Sequence, residues 1–392
     1  MAPVSAIELQ SRPVGLPPGT AAAALASTDL ASLRRVVDGA TAADVDRALS
    51  RSARPGRGGA RLEDFATLLS PAAAARLEEM AGAAHDLTIR RFGRTVHLFA
   101  PLYLSNECVS VCTYCGFSAG NEIARRTLSV DEVVEEATAL TDRGFRHLLL
   151  VAGEHARVVS KDYLVSCVEA LAPLVPSLSV EVQVWDTDTY RRLVEAGCDG
   201  LVVYQETYDA GTYAATHLKG KKRNYDWRLA APDRGAEAGM RRLGIGALLG
   251  LHPDWRADAI ALAAHARALI HRWWRVEVSL ALPRLRPAAG GYEPEDPVTD
   301  RDFVQLLCAL RLSLPDVGIS LSTREQATFR DSVVPLGVTT MSAGSHTEPG
   351  GYAAPSDAEP QFQVSDDRSP AAVAAALRGA GYDPVWKDWQ RA

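Results

Sequence analysis

The chain has 392 residues, 47% of them hydrophobic and 23% charged, and a formal net charge of −6. This is the composition of an ordinary globular enzyme, and its acidic balance argues against a general nucleic-acid binder. No apolar run approaches the roughly 20 residues needed to span a bilayer. The opening residues, Met1-Ala-Pro-Val-Ser-Ala-Ile-Glu8, lack the basic and apolar regions of a secretory signal, so a cytoplasmic protein is expected.

Residues 1–95 read as a helical extension. Gly15-Leu-Pro-Pro-Gly19 is a breaker cluster, and capping residues precede helical periodicity at Thr28–Val37 and Thr41–Leu49. A polar linker is expected over Arg51–Gly59, with helix resuming from Leu62 to Phe92. From residue 96 short β-branched runs alternate with helical ones. Strands are expected at Val96–Ser105, His147–Gly153, Leu178–Gln183, Gly200–Glu206, Gly244–Leu251, Val276–Leu282, Gly318–Thr323 and Gly337–Ser342. Helices are expected between them at Val130–Arg143, Tyr163–Leu174, Thr187–Ala196, Asp226–Arg242, Ala257–Arg272, Arg301–Leu314 and Ala327–Val334. Eight strands with seven intervening helices predict an α/β fold, a complete parallel (β/α)8 TIM-type barrel over residues 96–345. An open doubly wound sheet is the alternative. Residues 346–392, with an Ala-rich helix at Ser369–Gly379, are expected to form a C-terminal extension packing on the barrel.

The first strand leads into Cys108-Val-Ser-Val-Cys112-Thr-Tyr-Cys115, which holds half of the six cysteines at C-x3-C-x2-C spacing. Three thiolates on a short loop can hold three irons of a [4Fe-4S] cube and leave the fourth open. No second C-x2-C pair or nearby His completes a tetrahedral zinc site. Tyr114, before the last cysteine, fits the C-x3-C-x-aromatic-C pattern of clusters that reductively cleave S-adenosylmethionine (SAM) for radical chemistry. Cys108, Cys112 and Cys115 are therefore the expected metal ligands. Cys167, Cys198 and Cys308 stand in apolar or helical settings and read as buried free thiols. They suit a reducing compartment, as does an iron–sulfur cluster.

Polar residues collect after the other strands, at the end where such barrels carry their active sites. These are Glu154 after the second strand, Glu181 and Gln183 at the third, Gln205 and Glu206 at the fourth, Arg284 and Arg286 after the sixth, Arg324 and Glu325 at the seventh, and Ser342 at the eighth.

With these residues in hand, the chain resembles the 2-iminoacetate synthase (ThiH) family, the radical-SAM tyrosine lyases of thiamine biosynthesis. The matching stretches include Pro101–Asn106, Cys112–Ser118, His147–His155, Val203–Tyr208, His217–Lys222, Pro283–Pro287, Leu321–Glu325, Pro349–Tyr352 and Val385–Trp389. The resemblance implies that L-tyrosine is cleaved at Cα–Cβ into p-cresol and 2-iminoacetate (dehydroglycine). It implies a [4Fe-4S] cluster and SAM as cofactors, thiazole synthase (ThiG) as a complex partner, and flavodoxin or ferredoxin as the electron donor. A related hydrogenase-maturation lyase carries a second C-terminal cysteine motif, whereas no cysteine follows Cys308 here. One departure is Gln183-Val-Trp185, where the family pattern leads one to expect proline after the glutamine.

Glu154 matches the family position near the methionine amino group of SAM, and Gly153 before it permits close backbone approach. Glu181 and Gln183 are expected at the SAM ribose or carboxylate. Arg324 is the expected planar donor for the tyrosine carboxylate, with Ser342 donating to the same group and Tyr103 beside the substrate. Of Arg284 and Arg286, one is expected to contact SAM and the other to form an ion pair. His217 and Lys219–Lys222 read first as a solvated basic loop, with a lid or docking segment as the alternative. A tryptophan lyase is the rival activity within the class, and an iron–sulfur electron carrier or scaffold is the rival from outside it.

Overall fold

The helices begin where short polar side chains stand ready to cap them. In the computed structural model, which describes residues 15–52 and 60–387, Ser129 Oγ accepts from the Glu132 N–H while the Glu132 carboxylate accepts from the Ser129 N–H, opening helix Val130–Asp142. Thr299 and Asp302 open the helix Asp300–Ser313 with the same reciprocal pair, and Ser160 and Asp186 cap the helices Lys161–Leu171 and Thr187–Ala196 by accepting from a first-turn N–H. Each of these helices follows a strand, so their N-terminal ends ring one end of the sheet.

The strands, in chain order, are β1 (Thr95–Ser105), β2 (Val111–Cys112), β3 (His147–Ala152), β4 (Ser177–Glu181), β5 (Gly200–Glu206), β6 (His217–Lys219), β7 (Arg242–Ala247), β8 (Glu277–Ala281), β9 (Gly318–Leu321), β10 (Thr340–Ser342) and β11 (Asp383–Val385). Eight of them, β1, β3, β4, β5, β7, β8, β9 and β10, run parallel in that order, and β10 pairs back onto β1 with His97 opposite Thr340. The sheet is closed, as the count of eight strands predicts, and the open-sheet alternative is excluded. β11 adds a further parallel strand along the start of β1, with Thr95 opposite Asp383.

Several boundaries shift for local reasons. The helix expected over Asp226–Arg242 is two helices, Tyr225–Leu229 and Ala231–Ala238, because Pro232 opens a new first turn. The fifth barrel strand ends at Ala247, ahead of Gly250 at φ 95°. The eighth is only three residues long because Gly337, at φ 155°, still belongs to the preceding turn.

The helices between Ala21 and Phe92 lie on the outer helical layer and share one continuous apolar core with it. Polar contacts fix the seam: Asp233 Oδ1 accepts from the Ala21 N–H at 2.9 Å, and Gln305 Nε2 donates to the Leu68 and Ser70 carbonyls, both at 2.9 Å. On the other side, residues 346–387 fold back over the barrel. Tyr352 Oη donates to the Pro101 carbonyl at 2.7 Å. Most of the linker expected at Arg51–Gly59, the opening residues, and the end of the Val385–Trp389 stretch lie outside the described residues. Cys167, Cys198 and Cys308 are buried free thiols. Among the described residues, no helix is long and apolar enough to cross a membrane.

Candidate active site

The cysteine loop leaves the end of β1 and is held from three sides. The Asn106 amide donates to the Ala124 carbonyl at 2.8 Å, and its oxygen accepts from the Arg126 N–H at 2.7 Å. The Arg125 guanidinium donates to four carbonyls, those of Asn106, Phe117, Ser118 and Asn121. β2 pairs antiparallel with β6, with Cys112 opposite His217. The C-terminal extension closes the third side, where the Gly116 N–H donates to the Gln361 carbonyl at 3.1 Å. A Cβ at Gly116 would lie 2.5 Å from that oxygen, so only glycine permits the approach. Gly153 is required for the same reason: its Cβ would meet the Glu107 carbonyl oxygen at 2.4 Å and Cys108 Cβ at 3.3 Å.

Cys112 is buried, and Cys108 and Cys115 are half-buried. Burial pushes the Cys108 thiol up to about 11 and the Cys112 thiol higher still, and each thiol feels the Cys115 sulfur. Three thiols of this kind, close enough to interact, become thiolates when a cationic centre compensates the buried charge. Among the described residues, no set of His, Cys, Asp and Glu gathers around a single metal ion. Three cysteines at C-x3-C-x2-C spacing are a donor set that fits three irons of a [4Fe-4S] group. Cys115 opens onto the mouth cavity described below.

Behind the loop lies a buried chain of charges. Glu154 Oε2 accepts from Ser110 Oγ at 3.1 Å, and Oε1 accepts from Arg228 Nη1 at 3.0 Å. Arg228 also reaches Glu206, at 3.8 Å, and Glu206 pairs with Lys222 Nζ at 2.7 Å. A bulge in β5 turns Glu206 into the mouth at φ 71°, a backbone conformation that persists in a non-glycine residue only where its surroundings fix it. Burial pushes the Glu206 carboxyl up, but Lys222 and Arg228 together outweigh it and hold the group ionised. This arrangement corrects the reading of the 217–222 segment as a solvated loop. His217 and Lys222 point inward while Lys219 and Lys221 remain exposed. The signal missed in the sequence is the 3₁₀ turn Lys221–Arg223, which rotates Lys222 to face Glu206. Arg228 was missed as well, because it sits inside a stretch read as one continuous amphipathic helix.

The mouth cavity is bounded by Tyr103, Tyr114, Glu181, Tyr204, Arg324 and Ser342. Arg324 follows β9 and stacks its guanidinium on the Phe362 ring, 3.4 Å from the centroid. Among the described residues, no carboxylate lies within ion-pair distance of it. Ser342 Oγ accepts from the Thr323 N–H at 3.1 Å, which leaves its hydroxyl hydrogen free to donate. Tyr103 Oη donates to Gln361 Oε1 at 2.8 Å, and Gln361 Nε2 faces Cys115 Sγ at 3.8 Å. Burial and the neighbouring Glu206 raise the Glu181 carboxyl to about 7. Gln361 and Phe362 lie between the matching stretches of the C-terminal extension, outside any motif, so sequence reasoning had no means of placing them here.

Gln183, Arg284 and Arg286 lie off the wall of this cavity. Gln183 is buried with its amide donating to the Val159 carbonyl at 3.3 Å, away from the cavity wall. Arg284 and Arg286 both pair with Glu325, and Arg284 is packed over the Phe303 and Phe329 rings. Neither arginine lines the cavity. Glu325 neutralises both, which is why they turn from the mouth. Tyr114 does line the cavity, but its hydroxyl is taken by His217 Nε2 at 2.7 Å.

Comparison with known proteins places this geometry. The Radical SAM superfamily model matches residues 102–263, and the Biotin and Thiamin Synthesis associated domain model matches residues 281–383. The chain is 47% identical over 361 residues to the 2-iminoacetate synthase of Escherichia coli (strain K12), covering 92% of this chain and 94% of that one. The chain belongs to the 2-iminoacetate synthase family. The Salmonella typhimurium 2-iminoacetate synthase is 46% identical over 357 residues, 91% of this chain and 93% of the relative. Among solved structures, HydG, a maturase of the [FeFe]-hydrogenase, superposes with a TM-score of 0.87 at 32% identity, covering 93% of this chain and 81% of HydG.

Proposed function

We propose that this enzyme cleaves the Cα–Cβ bond of L-tyrosine to 2-iminoacetate and p-cresol, supplying the thiazole branch of thiamine biosynthesis. The observation that carries this reading is the end-to-end identity with 2-iminoacetate synthases, joined to a cavity where an unpaired arginine and a free serine hydroxyl share walls with Cys115. Cys108, Cys112 and Cys115 would hold a [4Fe-4S] cluster, and SAM would bind beside it. When bound, these cofactors supply a 5′-deoxyadenosyl radical.

The protein's own residues bind, orient and shield. Arg324 offers a planar fork to the substrate carboxylate, and Ser342 adds a hydroxyl donor to the same group. Stacking on Phe362 keeps the fork in one plane. Tyr103, fixed by Gln361, packs beside the substrate and ties its pocket to the cluster loop. Glu154 and Arg228 form the polar wall at Gly153, where SAM would lie, with Glu181 on the far side of the mouth. Holding the substrate amino group against the radical carbon is a positioning task. The buried walls keep water from the radical.

Because 2-iminoacetate hydrolyses readily, transfer to thiazole synthase within a complex is part of the proposal, as is reduction by flavodoxin or ferredoxin. A cytoplasmic location suits the three buried free thiols. Parallel anaerobic incubations of the reconstituted enzyme with tyrosine and with tryptophan test the assignment. p-Cresol from tyrosine is expected, and a dominant indole-derived product would overturn it.

A further inference from the structure

The face of the cysteine loop turned away from the cavity carries features that substrate chemistry does not use. β2 and β6 place Val111 opposite Lys219 and Cys112 opposite His217. One step further along, Gly220, at φ 93°, lies against Ser110, and a Cβ there would come within 2.4 Å of Ser110 Oγ. The 217–220 segment therefore lies directly on the cluster loop.

Side chains along this cover divide by direction. His217 and Lys222 face inward, as described above. Outward stand Leu218, 51% exposed, and Val109, 41% exposed, with Trp227, 38% exposed, on the following helix. These are three of the five large hydrophobic residues left exposed among the described residues. Next to Leu218 in sequence come Lys219, Lys221 and Arg223, all exposed, and Arg234 stacks 3.6 Å from the Trp227 ring centroid. Three cations within five residues are a local reversal on a chain of net charge −6. Glu107, half-buried and two residues before Val109, is the carboxylate nearest to that side chain in sequence, and Asp226, half-buried, is the nearest to Arg223, so the cations on the outer side, all exposed, stand beside carboxylates that are partly withdrawn.

We propose that this apolar and basic surface docks an acidic one-electron carrier, which passes its electron to the cluster through the Cys112 side of the loop. The inference rests on the radical-SAM reading, because that chemistry needs an electron from outside. In the transfer the carrier loses one electron, the centre held by the three cysteines gains it, and no bond to the protein forms or breaks. Basic residues around exposed apolar side chains match a carrier with acidic residues around its cofactor edge. Such rims govern encounter and salt dependence, while the apolar centre sets dissociation.

The test uses the anaerobically reconstituted holoenzyme and flavodoxin as the probe carrier. Binding is measured by calorimetric titration, and SAM cleavage is driven either by reduced flavodoxin or by dithionite. The variants are Lys219→Glu/Lys221→Glu/Arg223→Glu together and, separately, Leu218→Asp. The triple reversal is expected to weaken flavodoxin binding by roughly ten-fold or more at low salt and to remove the parent's salt dependence. Flavodoxin-driven cleavage should fall by a similar factor while dithionite-driven cleavage stays at the parent rate. Equal flavodoxin affinity in parent and variants would overturn the surface. If the triple variant loses its cluster, Leu218→Asp decides by the same comparison. Failure of dithionite-driven cleavage in the parent would instead overturn the radical-SAM reading, and the titration would still judge the surface.

Discussion

The hydroxyl of Tyr114 donates to Nε2 of His217 across 2.7 Å, and this bond ties the cysteine loop to the segment that follows β5. The direction follows from the other ring nitrogen: Nδ1 lies 2.8 Å from the Tyr213 carbonyl, which can only accept. His217 is therefore neutral and protonated on Nδ1. Burial, and then Lys222, drive its pKa down to about 3. Tyr114→Phe leaves a buried acceptor unsatisfied and should destabilise the fold by about 1–3 kcal/mol. Between pH 6.5 and about 3 the unfolded chain binds a proton that the native ring refuses. Stability attributable to this site is thus full above pH 6.5 and is lost as pH falls through that window. Melting temperature against pH in parent and His217→Gln checks this: the parent should lose more on acidification. Parallel curves would remove His217 from the account.

Glu325 is the shared anion of Arg284 and Arg286. Glu325→Gln leaves the partly buried Arg286 without its carboxylate and Arg284 with only the exposed Asp300, 2.6 Å away, and should cost about 3 kcal/mol in stability. Glu325 borders the cavity but neither arginine does, so the half-saturating tyrosine concentration of the surviving enzyme should change much less than its stability. A large rise in that concentration with little loss of melting temperature would return these arginines to the binding site.

Arg324 has the opposite signature. Removing a charge-assisted bond of about 1.5–3 kcal/mol lowers tyrosine affinity about 10- to 150-fold. Arg324→Ala should show that loss while keeping its cluster and slow tyrosine-independent SAM cleavage. Arg324→Lys should recover only part of the affinity, since lysine lacks the planar fork. Near-normal tyrosine dependence in Arg324→Ala would mean that the carboxylate is anchored elsewhere.

Glu181 gives a second pH window with the reverse sign. Its carboxyl, raised to about 7 against an ordinary value of 4.5, stays protonated in the native state where the unfolded chain has released its proton. Its favourable contribution is full below pH 4.5 and is lost as pH rises toward 7. Glu181→Gln should flatten this part of the melting-temperature profile. An unchanged slope would show that the carboxyl titrates normally.

These residues also mark how far the sequence could be read. Eight β-branched runs separated by capped helices carry the barrel in their periodicity, and C-x3-C-x2-C carries the metal chemistry in its spacing. Arg324 and Ser342 were legible because a strand end fixes where a side chain emerges. Arg228, Lys222 and Gln361 were not. Their roles depend on a broken helix, a single 3₁₀ turn and a C-terminal return across the barrel, and local pattern specifies none of these. For Arg284 and Arg286 the expected ion pair is present, but strand-end position does not reveal that a buried Glu325 claims both.

The central claim is the reaction itself. The reconstituted enzyme, supplied anaerobically with dithionite, SAM and tyrosine, should release p-cresol and 2-iminoacetate in equal amounts, the latter read as its hydrolysis product glyoxylate. 5′-Deoxyadenosine should form at least once for each cleavage. Deoxyadenosine formation from an intact cluster with no p-cresol above the tyrosine-free control would contradict the account.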